Sequence, residues 1–347
     1  MTSWVSRAGA VVTVMALVLA PGIAHADRGG GASQGGGTSE TSGGREGAGL
    51  VSKVVYSGST SGSRGSDGRG ALQPVGDWTP PACWYEPRSA EQFRDYVESV
   101  YEETVNTPGQ HSYAKQSVGM FREDYKDGTY KNYNLDKKDE GSFWVAVRDE
   151  DRRMEPEAQA CDKMPFWVEN GDPVPVENAV TPEVLAELAY NRVRLPAAEV
   201  TLRPDAATKV NLPTWAWLDK ATFKETSVTA SIAVGGLNIQ ATTTARPVSL
   251  RLEPGTPDAE TYPASGECTI DADGSIGEPY TRGQAERTPP CGLKYLRSSR
   301  DGTFTLRATI TWDISWTGTG GAGGDLPDGT FGNDQAVTVQ EIQSVNR

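Results

Sequence analysis

Glu98, Glu102 and Glu103 lie about one turn apart in a stretch of helical periodicity. Two such carboxylates can hydrolyse a glycosidic bond, one as acid and the other as base or nucleophile, when about 5–10 Å separates them. The chain holds 46 acidic residues, so a cluster of this kind also arises on any solvated helix face, and we take that simpler account. His111 is the only histidine beyond the first 26 residues. Standing beside Pro108-Gly109, it is expected to be a surface group rather than the activator of a nucleophile. Asp271-Ala272-Asp273-Gly274-Ser275 resembles the opening of a calcium loop. The hand-type loop needs Gly sixth and Glu twelfth, and Ile276 and Arg282 stand there. An acidic solvated turn accounts for it, and no catalytic residue, metal ligand or cofactor site is assigned.

Four cysteines follow the N-terminal segment: Cys83, Cys161, Cys268 and Cys291. Without a C-x-x-C, and with one histidine, they do not suit zinc. An even number fits two disulfides, for which three connectivities exist. We expect Cys83–Cys161 and Cys268–Cys291, because each bridge then stays inside one proposed domain. Loop closure gives about 3 kcal/mol for the shorter loop and more than about 4 for the longer.

Two glycine motifs carry no chemistry in their setting. Gly31-Ala32-Ser33-Gln34-Gly35 has the spacing of a hydrolase elbow but lies in a Gly/Ser tract, not between a strand and a helix. Gly318 to Gly323 matches G-x-G-x-x-G, yet Asp325-Leu326-Pro327-Asp328-Gly329 follows, which is turn chemistry rather than a helix N-terminus for a pyrophosphate. No P-loop is present, so no nucleotide is expected. Trp215 and Trp217 share a face of an extended chain. They are the candidate binding residues, as a stacking surface for sugars, against the alternative of sandwich core. Leu326-Pro327-Asp328-Gly329-Thr330 transposes the end of a sortase signal, and covalent wall anchoring is rejected.

The elements that must position these residues follow from composition and periodicity. Residues 1–26 have Arg7, an apolar run from Ala8 to Ala20, and a small-residue site ending Ala24-His25-Ala26, the pattern of a secretory signal peptide cut before Asp27. The apolar run is too short to span a bilayer, and no later run is longer, so no transmembrane helix is expected. Residues 27–77 form a Gly/Ser-rich linker expected to be disordered, with one apolar island around Val54-Val55-Tyr56. Residues 78–211 are expected to form a mixed, mainly helical domain. Ser89 and Gln92 make a capping box, and Phe93, Tyr96, Val97, Val100 and Tyr101 give a helix over 90–105. A weaker helix spans 110–124, a buried strand 142–147, and Thr181-Pro182 opens a third helix that ends before Pro196.

After residue 211 the period becomes two. Val228 to Val234, Gly235-Gly236, and Leu237 to Ala241 make a hairpin. Val248, Leu250 and Leu252 give a further strand. From Phe304 to Trp316 every even position is apolar, the pattern of a long antiparallel strand with one buried face. Residues 335–345 supply a last strand. The whole is an α+β chain, with a β-sandwich over 212–347. The net charge of −13 argues against nucleic acid, whose phosphates need clustered Lys and Arg.

Residues 181–347 resemble an actinobacterial family of exported, uncharacterised proteins with a polycystic-kidney-disease-like (PKD-like) module. The resemblance rests on Val210-Asn211-Leu212-Pro213-Thr214-Trp215-Ala216-Trp217-Leu218-Asp219, Cys291-Gly292-Leu293-Lys294-Tyr295, Phe304 to Gly318, and Val337 to Gln343. The chain departs from the family at the W-D-x-G-D-G turn, where Leu250 to Gly255 stand. The resemblance implies an immunoglobulin-like sandwich in which Cys268 and Cys291 are the family's cysteine pair. The expected function is that of a non-enzymatic secreted or cell-envelope binding or scaffolding protein. Its partner would be an envelope protein or polysaccharide, and any envelope association non-covalent. The alternatives are a secreted hydrolase of wall glycan and an accessory component of a secretion or conjugation apparatus.

Overall fold

The structure is a computed structural model that describes residues 41–42, 55–59, 70–196, 199–203, 207–218, 223–271 and 274–341. The signal segment 1–26, the Gly31–Gly35 motif, most of the linker and the residues after 341 lie outside the described residues. Short strands come first: β1 (Thr41–Ser42), β2 (Val55–Ser59), β3 (Gly70–Ala71) and β4 (Gln73–Pro74). Then come β5 (Cys83–Arg88), helices α1 (Ala90–Asn106) and α2 (Ser112–Lys126), β6 (Gly141–Arg148), β7 (Phe166–Glu169) and helix α3 (Pro182–Tyr190). β8 (Arg194–Leu195), β9 (Thr201–Arg203), β10 (Ala207–Lys209) and β11 (Thr214–Trp217) lead to β12 (Thr226–Val234) and β13 (Leu237–Glu253). β14 (Ala259–Tyr262), β15 (Glu267–Thr269), β16 (Gly292–Tyr295), β17 (Phe304–Gly318) and β18 (Gly323–Gln340) complete the chain.

α1 begins where its capping chemistry puts it. The Ser89 hydroxyl accepts from the Gln92 N–H, and the Gln92 side chain accepts from the Ser89 N–H. Phe93 and Val97 are its buried face. α2 starts two residues later than its sequence suggests, at an N-cap, His111, whose side chain makes no capping bond. The two helices pack with an antiparallel sheet in the order β5-β6-β7, so this segment mixes helix and sheet. The Phe93 ring stacks on Phe143 at 4.1 Å and meets the edge of Tyr125 at 4.8 Å, forming a small aromatic core. The Cys83–Cys161 bridge ties the first strand of this sheet to the segment before β7.

The larger sheet runs β1-β2-β12-β13-β17-β18-β10, with β15 also on β13 and β4 also on β18. The alternation of β17 gives a buried face of Leu306, Ala308, Ile310, Trp312, Ile314 and Trp316. Burying each large apolar side chain contributes about 1.5–3 kcal/mol. Gly235 and Gly236, with φ of 55° and 82°, close the β12–β13 hairpin in a left-handed turn that side chains with a Cβ disfavour.

Two expectations are corrected here. Leu237 to Glu253 is one strand, not two, and the ladder slips by one residue between Pro247 and Ser249. Asp325 to Gly329 is strand rather than turn, and Pro327 falls where the ladder slips opposite Trp312 and Ile314. A proline lacks the N–H a ladder needs, and a bulge is where that loss is tolerated.

The second sheet has the order β14-β16-β11-β9. Leu293, Tyr295 and Ala216 from it share one core with Leu250, Ile310 and Trp312 of the larger sheet. The Tyr295 ring stacks on Phe304 at 5.2 Å. α3, though it lies in the segment expected to be a separate domain, covers another part of the same face: the Thr243 hydroxyl donates to the Ala186 carbonyl at 2.8 Å. The linker likewise contributes strands. β2 pairs with β12, β3 with β8 and β4 with β18, and Leu72 is buried in the larger core.

Candidate functional site

α1 turns Asp95, Glu98, Ser99, Glu102, Glu103 and Asn106 outward around a shallow hollow of ≈ 480 Å³. Asp95, Glu102 and Glu103 are exposed, as a helix face opposite Phe93 and Val97 must be. Glu98 is different. Its Oε2 accepts from Arg122 Nε at 2.7 Å, and its Oε1 accepts from the Tyr133 hydroxyl. Burial opposes its ionisation, but the bonds from Arg122 and Tyr133 and the Arg122 charge outweigh that and hold the carboxyl below its usual range. Burial, then the Glu98 bond, pushes the Tyr133 hydroxyl up. Tyr133 is delivered by a turn in which Asn132, Tyr133 and Asn134 all have positive φ. Both Glu98 oxygens are therefore engaged in fastening α1 to α2 and to that turn. Of the three clustered glutamates, this one is a fixed anion rather than a proton donor.

Trp215 and Trp217 do not form an open pair. Trp215 is 2% exposed, and its ring meets Tyr280 edge-on at 6.2 Å, while Trp217 is half-buried. β11 is hydrogen-bonded on both sides, to β9 and β16, which buries its inner residues. His111 is exposed at the start of α2. Gly318 to Gly323 form a hairpin connection followed by a strand, not by a helix. In the acidic turn the Asp271 N–H donates to the Ser275 carbonyl at 2.8 Å, and residues 272–273 lie outside the described residues. Both cysteine pairs are bridged as expected, with Cα atoms 6.0 and 5.6 Å apart.

Some groups had no signal in the one-dimensional pattern. Glu86 and Arg88 form an ion pair with side chains only 1% and 7% exposed, and Trp84 Nε1 donates to Glu86 at 3.3 Å. Burial lowers the Arg88 pKa, opposed by the Glu86 charge. Their two-residue spacing beside Trp84 on a strand places all three on one face, which is the only hint the sequence holds. Glu187 on α3 is pushed up to about 7 by burial, with Glu183 adding repulsion. Glu199, Val200, Thr201, Asn333, Asp334 and Gln335 line a cleft of ≈ 390 Å³ at the edge of β18. In it the side-chain oxygens of Asn333 and Gln335 are buried without a hydrogen-bond partner among the described residues.

Among the described residues, no three His, Cys, Asp or Glu side chains group to hold a metal ion. No helix there is long and apolar enough to cross a membrane. Comparison with family models, with curated proteins and with solved structures returned no match.

Proposed function

We propose that the chain is an exported, non-enzymatic binding or scaffolding protein of the cell envelope. The observation that carries this reading is the pair of buried disulfides, each of which joins a strand to a segment distant in sequence. Bridges of this kind persist in oxidising surroundings, and they accompany an N-terminal segment with the pattern of a secretory leader. The same reading takes residues 212–347 as a PKD-like, immunoglobulin-like sandwich; two mainly antiparallel sheets sharing one core support it. The partner is an envelope protein or polysaccharide, with half-buried Trp217 as a contact.

The test has two arms. The chain expressed with its leader is recovered outside the cell, beginning at Asp27 and without free thiols. Incubated with purified wall glycan, it sediments with the polymer and releases no reducing ends, and Trp217→Ala weakens the binding. Release of reducing ends that disappears in Glu102→Gln would replace this reading with that of a hydrolase.

A further inference from the structure

β12 is hydrogen-bonded to β13 along its whole length, from Thr226 opposite Ala245 to Val234 opposite Leu237. Its other side would be an open edge but for β2. Ser59 to Val55 pair there with Ser227 to Ser231 in antiparallel register. Strand edges are ordinarily guarded by charges, prolines or bulges that prevent pairing with another chain. Thr226-Ser227-Val228-Thr229-Ala230-Ser231-Ile232-Ala233-Val234 carries no charge and no proline. No register slip interrupts its pairing with β13, and Val228, Ala230 and Ile232 are buried on one side of it. The protection of this edge therefore rests on a strand lent by the N-terminal segment.

That loan is energetically slight. Each main-chain hydrogen bond adds only a small net stabilisation, and ordering the residues that make it costs entropy of similar size. Five paired residues come out near balance, so local concentration decides whether the edge is filled. Thr60-Ser61-Gly62-Ser63-Arg64-Gly65-Ser66-Asp67-Gly68-Arg69 separates β2 from β3. Ten residues reach about 35 Å at most. The same strand from a second copy offers the same residues in the same register.

We infer that the β12 edge is a strand-acceptor site whose second occupant is Val55–Ser59 of another copy of this chain, so that crowded copies exchange strands and link. This does not depend on the envelope reading and fails separately from it.

The test uses the full chain. Copies of natural and heavy-isotope composition are mixed at about millimolar concentration and examined by native mass spectrometry. Mixed dimers are expected, and an excess of free peptide spanning residues 53–61 dissolves them. The full chain carrying Tyr56→Pro and Ser57→Pro forms none, and it binds the labelled peptide at least about tenfold more tightly than the parent, a difference of about 1.4 kcal/mol. A parent that stays monomeric, dimers that survive the peptide, or dimers that persist in the double-proline chain would each overturn the inference. The peptide arm on the parent chain keeps the test decisive should the variant misfold.

Discussion

Cys268 and Cys291 join two different sheets: Cys268 lies on β15, which pairs with β13 of the larger sheet, and Cys291 immediately precedes β16 of the smaller one. The bond closes a separation of 23 residues that includes Gly274, Gly277, Pro279, Gly283, Pro289 and Pro290. Replacing both cysteines by alanine is expected to cost about 3 kcal/mol, mainly by freeing the unfolded chain. A urea titration shows it as a lower midpoint. An unchanged midpoint would mean that packing alone holds the two sheets together.

The carboxyl of Glu187 is pushed up to about 7, first by burial and then by Glu183. A raised carboxyl contributes stability in full below its ordinary value, about 4.3, and loses it as pH rises through about 7. Allowing for solvent screening at this partly exposed position, the loss is about 1–2 kcal/mol. The unfolding midpoint of the parent should fall between about pH 4.5 and 8, with a shallower fall in Glu187→Gln. Parallel profiles would remove Glu187 as the cause.

Glu98 works in the opposite sense. Its depressed pKa means that its bonds to Arg122 and Tyr133 stabilise the fold above the ordinary carboxylate value and fade as pH falls through the lowered one. Glu98→Gln should cost about 1–2 kcal/mol at neutral pH and little in acid, followed by denaturant unfolding at several pH values. Tyr133→Phe should show a smaller loss. An equal loss at every pH would point to lost packing instead.

The Glu86–Arg88 pair is the most sensitive charge site described. Arg88→Met leaves the Glu86 carboxylate buried without its cation, and breaking one side of such a pair costs about 3–5 kcal/mol. Glu86→Gln with Arg88→Met, changed together, should recover part of that. Thermal unfolding of the three variants forms the cycle that measures the coupling, and additive losses would deny it.

Local signals were the legible ones. Ser89 with Gln92 located α1, Thr181-Pro182 located α3, and the alternation from Phe304 to Trp316 located β17. What stayed hidden depends on partners distant in sequence. Pro327 reads as part of a turn, because only the neighbouring strand shows that it stands at a slip in the ladder. Parity put Trp215 and Trp217 on one face of β11, yet burial depends on β9 and β16, which flank that strand. The periodicity of α3 shows an apolar stripe without naming the sheet it covers. Glu86 and Arg88 look like surface charges, and only the folded chain shows them buried on β5.

Thr330 of β18 donates its hydroxyl to the Gln73 carbonyl of β4 across a sequence separation of 257 residues. A ribosome makes these partners in that order, so β4 has no strand to join until most of the chain has been synthesised. A chain stopped before Gly323 has no β18, and Leu306, Ile310 and Ile314 are then left on a strand with one side open. Such an edge invites aggregation. Completing this sheet therefore acts as a check on length, because a prematurely terminated product cannot hide its central strand.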